Sequence, residues 1–331
     1  MKRITILAFL AFCFSAMFAF NASAKTQFTY ANFFPPSHIQ SQLAESWCKE
    51  VEKRTNGEVT IKYFPAGTLT KGPQTYDGVV NGIADIGMTV LAYSRGRFLL
   101  ASAIDLPLGY KSGVQATAVA NAVFNKFQPE EFKDSEIMFL HAHGPGLIQT
   151  RSKPVSSLAD MKGLKLRGTG TSGLVVAALG ASPVGKSMRE AYQMLQKGVV
   201  DGSLHPVEAN KGWKLGEVVK YLTENYSTAY TTTFAVFMNK GKWNKLSPAT
   251  QKTIQDINGE WSIKHGQAWD ASDKAGLEFF ISKGGKAVSL SDAESKKWEA
   301  AVVPVIDGFV KKADAKGIDG KAVVDFIKAN M

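Results

Sequence analysis

Between Arg167 and Ser187 the chain reads RGTGTSGLVVAALGASPVGKS, and two nucleotide-binding fingerprints overlap there. GTGTSG (Gly168 to Gly173) fits G-x-G-x-x-G, and GASPVGKS (Gly180 to Ser187) fits G-x-x-x-x-G-K-S. A phosphate loop of the second kind needs a strand directly before its first glycine and a helix directly after the Lys-Ser pair. Gly180 instead follows the helix-like SGLVVAAL, so it reads as the glycine just past a helix C-terminus. SPV is then the strand, Ser187 begins the next helix, and that loop binds no nucleotide. GTGTSG has a better setting: LKLR (Leu164 to Arg167) reads as a strand, and a helix opens near Thr171. A dinucleotide fingerprint, however, belongs at the start of its domain and not halfway down a chain. What survives is an anion site. Small residues at a strand-to-helix junction let a ligand approach the N–H groups of a helix N-terminus, which favours negative charge. Arg167 at the strand's carboxyl end adds a forked donor set suited to carboxylate, sulfonate or phosphate. No cofactor is called for.

His141 and His143 in HAHG fall on one face of a strand, as two metal ligands would. A catalytic zinc site needs a third protein ligand and an open position, and no further His/Asp/Glu cluster is evident. A secreted metal-dependent hydrolase built on this pair is therefore the alternative reading, and no metal site is assigned. Asn32, Phe34 and His38 follow the first strand into the first helix and are candidates for ligand contact. So are Tyr93 and Arg97 in LAYSRGRF, which follow the strand DIGMTV, and the aromatic residues Trp213 and Phe234. No Ser-His-Asp or Cys-His nucleophile arrangement is recoverable.

The elements that must position these residues alternate, which indicates an α/β protein. FTYANFF and EVTIKYF alternate as strands, and a helix capped by Ser37 runs through Arg54, with Gly57 past its end. Pro73 opens a helix through Ala84, DIGMTV is a strand, Gly113 to Phe127 is helical, and EIMFLHAH is extended. VVNGIADIG (Val79 to Gly87) and LQKGVVDGS (Leu195 to Ser203) echo one another, which points to two similar lobes. After TTTFAVFMN, Ser247 and Pro248 start a helical pattern that runs to about Ser282, roughly 50 Å at 1.5 Å per residue. Such a helix would lie across both lobes.

Lys2 and Arg3 precede an uncharged apolar run, Ile4 to Phe20, and then Ala22-Ser23-Ala24. This pattern predicts a cleavable secretory signal peptide over 1–24, with cleavage after Ala24 and export to the periplasm. Removal of the leader would take away Cys13 and leave Cys48 without a disulfide partner. The formal net charge of +10 is dispersed without a Lys/Arg block, so no nucleic-acid partner is expected. Three hundred residues with this apolar content can build two domain-sized cores.

LADMKGLKLRGTGTSGLVVAALGASPV, EAYQMLQKGVVDG and FMNKGKWNKLSPATQ together resemble the substrate-binding proteins of tripartite ATP-independent periplasmic (TRAP) transporters. The resemblance extends upstream through EVEKRTNGEVTIKYFPAGTL. It implies a two-lobed periplasmic binding protein of the type II class that is not an enzyme, with a long helix crossing both lobes. It implies hand-over of a small organic anion to the membrane subunits of a TRAP transporter, and a monomer is expected. It also implies that Arg167 pairs with the anion's acid group. The lobes are expected at 25–145 plus 232–272 and at 146–231 plus 273–331. Three departures bear on the ligand. Leu147 in GPGLIQTRS stands where many members carry a second pocket arginine, with Gln149 beside it as a candidate contact. DGSLHP replaces D-G-Q-E-N-P, so His205 stands in place of an asparagine. Arg189 and Lys186 fall in a loop that usually lacks basic residues. Arg189 and His205 are therefore expected to meet the far end of the ligand, and sulfonate or phosphate stays open beside carboxylate.

Overall fold

The structure is a computed structural model that describes residues 25–94 and 96–331; the expected leader lies outside them. Two mixed sheets carry the two-lobed α/β fold. The first joins β1 (Thr26–Asn32), β2 (Val59–Phe64), β3 (Ile86–Val90), β4 (Ser135–Ala142) and β10 (Thr233–Asn239) in the order β2-β1-β3-β10-β4. The second joins β5 (Gly146–Thr150), β6 (Lys165–Arg167), β7 (Ser182–Val184), β8 (Gly202–Pro206), β9 (Tyr221–Thr223) and β11 (Lys286–Val288) in the order β11-β9-β5-β8-β6-β7.

From its opposite edge the second sheet, β7-β6-β8-β5-β9, repeats the topology of the first. In each, the second strand is parallel to both neighbours and the fourth is antiparallel to both. The echo in the sequence marks this repeat. Each copy leaves a helix end through a glycine at positive φ, Gly82 or Gly198, and enters the central strand β3 or β8. The repeat makes Arg167, last in β6, the counterpart of Asn32, last in β1. Both strands end beside the space between the sheets.

Helices fill the faces: α1 (Ile39–Arg54), α2 (Thr75–Val80), α3 (Gly113–Phe127), α4 (Thr171–Ala178), α5 (Met188–Gln196), α6 (Pro248–Ser282), α7 (Asp292–Asp314) and α8 (Gly320–Ala329). The 35-residue α6 opens on Pro248 at its first position, and Ser247 Oγ accepts from the Thr250 N–H at 3.1 Å. It packs on α1, α3 and β4 of the first lobe and on the Ala209–Gly212 turn of the second. Its interior glycines do not break it, and two of them admit close neighbours. A Cβ at Gly266 would stand 3.2 Å from Thr117 on α3, and one at Gly276 would stand 2.3 Å from the Val207 carbonyl. Among the described residues no helix is long and apolar enough to cross a membrane.

Two local expectations need correction. His38, not Ser37, caps α1: its Nδ1 accepts from the Gln40 N–H at 3.2 Å. The helix expected from Pro73 to Ala84 is a 3₁₀ turn (Gly72–Gln74) followed by α2, which stops at Val80 because Gly82 takes the left-handed conformation.

Candidate functional site

A small cavity of about 40 Å³ lies between the two sheets, lined by fifteen residues drawn from both lobes. Arg167 forms part of its wall. β6 places it beside Val184 of β7 and Ser203 of β8, and only 3% of its surface is exposed. Its Nε donates to the Lys186 carbonyl at 2.8 Å, which fixes the plane of the guanidinium. No ion pair among the described residues involves it. The site thus presents a buried positive charge that the chain itself leaves without a counterion.

The groups around Arg167 respond to that charge. Burial first, and Arg167 in addition, push the His143 imidazole down to about 4, so it is neutral at pH 7. Its Nδ1 lies 2.6 Å from the Gly144 carbonyl, which can only accept, so Nδ1 carries the proton and Nε2 is left as an acceptor. Burial raises Tyr93 and Tyr230, and Arg167 opposes the rise in both.

Aromatic rings make most of the remaining wall: Phe33, Phe34, Tyr93, Trp213, Tyr230, Phe234 and Trp269 are seven of the fifteen lining residues. Phe33 stacks on Phe34 at 4.5 Å and lies nearly parallel to Phe234, 6.5 Å away and 12° apart. Phe234 in turn lies 5.1 Å from Trp269. Rings arranged this way bury a flat, apolar body well and offer few hydrogen bonds to a polyol.

Glu208 is the cavity's acidic member and is buried, with 3% of its side chain exposed. Its Oε2 sits 3.0 Å from His38 Nε2, which joins the second lobe to the first. Its N–H donates to Asp273 on α6 at 2.8 Å. Burial, and after it the Glu208 and Asp270 charges, raise Asp273 to about 8. At the mouth of the cleft two more hydrogen bonds join the lobes. The Met188 N–H donates to the Tyr93 hydroxyl at 3.0 Å, and Arg189 Nη1 donates to the Ala66 carbonyl at 2.7 Å.

Residues 30–313 match the family model described as bacterial extracellular solute-binding protein, family 7. The chain belongs to that family. A TRAP periplasmic solute-binding protein from Desulfovibrio salexigens, in an open complex, is 35% identical over 93% of this chain and 96% of that one, with a TM-score of 0.82. A marine metagenome TRAP solute-binding protein specific for aromatic acid ligands, in complex with metahydroxyphenylacetate, is 29% identical over 92% and 98%, with a TM-score of 0.87. A TRAP periplasmic solute-binding protein from Bordetella bronchiseptica, with bound (R)- and (S)-mandelate, is 30% identical over 92% and 98%, with a TM-score of 0.86. The protein is thus a TRAP-type solute-binding protein and not an enzyme.

Of the receptor's residues singled out in the sequence, Arg167, Phe34, Tyr93, Trp213 and Phe234 meet in the cavity. Six do not line it. Asn32 is buried beside it, its Oδ1 accepting from the Phe34 N–H at 2.9 Å, which sets the turn that presents Phe33 and Phe34. His38 stands behind Glu208. Arg97 lies on the surface, ion-paired with Asp77 and seated over the Tyr76 ring. Arg189, in the first turn of α5 behind the Ser187/Glu190 capping box, is exposed and directed to the Ala66 carbonyl. Gln149 and His205 are fully buried in the second sheet, Gln149 abreast of Ser203 in the row that ends at Arg167, and make no well-formed side-chain hydrogen bond. Burial, and Arg167 after it, push His205 down to about 3.

The glycine stretch also divides differently from the expectation. Thr169 lines the cavity with Arg167, but Gly168, Gly170, Thr171 and Gly173 line a second, larger cleft, so the N-terminus of α4 and Arg167 serve different spaces. Gly170 has φ +53°, and a Cβ there would stand 2.7 Å from the Ala92 Cβ of the other lobe. The glycine serves the approach of the two lobes. The hydrolase alternative gains no footing: His141 Nδ1 accepts from Trp269 Nε1 at 3.0 Å, and the described residues hold no group of three or more His, Cys, Asp or Glu that could bind a metal. Sequence reading missed Phe33, Glu208, Tyr230 and Trp269. Phe33 stood in FTYANFF beside a chosen residue, whereas Trp269 in the long helix and Glu208 in HPVEAN carried no local signal.

Proposed function

We propose that the receptor captures a monocarboxylate with an aromatic ring and delivers it, as a monomer, to the membrane subunits of a TRAP transporter. The observation that carries this reading is Arg167: a buried guanidinium without a counterion, set in a wall of aromatic rings. A carboxylate is the planar two-oxygen partner that matches its fork. The rings favour an aromatic body over a sugar acid, whose hydroxyls would go unpaired against them. The relatives that bind metahydroxyphenylacetate and mandelate support the same class. On this reading the leader is removed after Ala24, and the lobes are 25–145 plus 232–272 and 146–231 plus 273–331. They close by hinge motion over the ligand, whose contacts to both lobes supply the energy of closure.

Calorimetric titration with benzoate, phenylacetate and mandelate, beside glucuronate and benzenesulfonate, tests the class. We expect at least one aromatic carboxylate to bind, with a fall in radius of gyration by solution scattering. Tighter binding of the sugar acid or the sulfonate than of every aromatic carboxylate would overturn it, as would turnover of the bound acid.

A further inference from the structure

We infer that the cognate acid carries a hydroxyl group at the end away from its carboxylate, and that this hydroxyl donates to Oε1 of Glu208. The inference rests on the reading of the ligand as an aromatic carboxylate and adds a second recognition point. Glu208 faces the same cavity as Arg167, yet the two are not ion-paired, so the cavity has two separated charged poles. One oxygen of Glu208 is committed to His38 at 3.0 Å. The direction of that bond follows from the other side of the ring. His38 Nδ1 accepts from the Gln40 N–H, so it holds no proton, Nε2 holds it, and Nε2 donates to Glu208. His38 thus orients the carboxylate without neutralising it. Oε1 has no hydrogen-bond partner among the described residues and, unlike the fully enclosed unpaired atoms of the interior, it stays open to the cavity.

The surroundings are shaped for this carboxylate. A Cβ at Gly212 would fall 2.6 Å from Glu208 Oε2 and 2.7 Å from His38 Nε2, and one at Gly276 would fall 2.8 Å from the Glu208 Cα. Two glycines on different elements therefore leave the space that Glu208 and His38 occupy. Glu208 is acceptor-only while ionised, and its charge is felt by Asp273, whose carboxyl is raised partly by it. A carboxylate held in place through one oxygen, with the other open to the cavity, offers an acceptor that a bound ligand can reach.

The experiment compares affinities of one panel, benzoate, 3-methylbenzoate, 3-hydroxybenzoate, 4-hydroxybenzoate and 3-(aminomethyl)benzoate, for the wild-type receptor, Glu208→Gln and Glu208→Met. A hydrogen bond to a charged group contributes roughly 1.5–3 kcal/mol, so the better hydroxy acid should bind about 10- to 100-fold more tightly than benzoate and the methyl isostere. That ratio should shrink in Glu208→Gln, which keeps a neutral acceptor, and fall to about one in Glu208→Met, on the same scale. A merely structural role for Glu208 would weaken all acids alike and leave the ratio unchanged. The inference is overturned if no hydroxy acid outranks benzoate, if the ratio survives in Glu208→Met, or if the ammonium compound outranks both hydroxy acids. Should no member of the panel bind the wild-type receptor, the aromatic-carboxylate reading falls, and this one with it.

Discussion

A guanidinium that is 3% exposed and paired with no carboxylate destabilises its surroundings by several kcal/mol unless an anion arrives. Arg167 is therefore asymmetric in its effects. Removing one partner of a buried, hydrogen-bonded charge pair costs about 2–5 kcal/mol, so Arg167→Ala should weaken binding of the cognate acid roughly 30-fold to several thousand-fold. Arg167→Lys should recover only part of this, because an ammonium cannot make the paired planar contact. Arg167→Leu should lose binding while melting no lower than wild type without ligand, since it removes a buried charge the chain does not neutralise. Calorimetry and thermal melting of the three variants check both sides. Affinity within about threefold of wild type for Arg167→Ala, or a clear loss of ligand-free stability for Arg167→Leu, would contradict the assignment.

The elements that hold Arg167 explain what the sequence disclosed and what it withheld. β6, α4, β7 and α5 were all legible between Leu164 and Gln196, because short apolar runs there are punctuated by Gly180 and by the Ser187/Glu190 capping box. Position along the chain does not say which side chains from distant elements converge. Arg189 looked like a ligand contact by charge alone, yet it reaches the Ala66 carbonyl across the cleft. His205 looked like one because it stands where the family carries an asparagine, yet β8 carries it inside the sheet. Glu208 and Trp269 could not be found at all, since their partners lie on other segments of the chain. The cross-lobe bonds at His38, Tyr93 and Arg189, with the Gly170–Ala92 approach, form a seam between the two lobes. Gly170→Ala should therefore obstruct closure. Its Cβ would meet the other lobe, and φ +53° disfavours any side chain by about 1–2 kcal/mol. We expect weaker binding and less ligand-induced compaction by scattering. Arg189→Ala should weaken all ligands by the same factor, about two- to tenfold for one hydrogen bond, because it holds the lobes and not the ligand. A change in ligand ranking in Arg189→Ala would return that residue to the binding site.

At the scale of the whole molecule, the buried titratable groups set opposing pH limbs. His143 is pushed down to about 4, His205 and His265 to about 3, and His141 well below its ordinary 6.5, all chiefly by burial. Between about pH 4 and 6.5 the unfolded chain binds protons at these four rings that the folded chain does not, so acidification through that window destabilises. Asp105 is raised to about 7 and Asp273 to about 8, again first by burial. From their ordinary 3.8 up to those values the folded chain keeps protons that the unfolded chain has released, so rising pH destabilises. In the acid window four histidines outweigh two aspartates, and stability rises with pH. Above 6.5 the histidines no longer differ between states and the aspartates act alone, Asp273 furthest. The melting temperature of the ligand-free receptor should therefore peak near pH 6.5 and decline towards pH 8, with little further change from these groups above it. Asp273→Asn should flatten the decline between pH 7 and 8, where Asp105 is more than half ionised and contributes less, and leave the acid limb in place. A melting temperature that keeps rising from pH 6.5 to 8, or an alkaline decline unchanged in Asp273→Asn, would show that these carboxyls are ionised in the folded protein and that the protonated Asp273 beside Glu208 is misassigned.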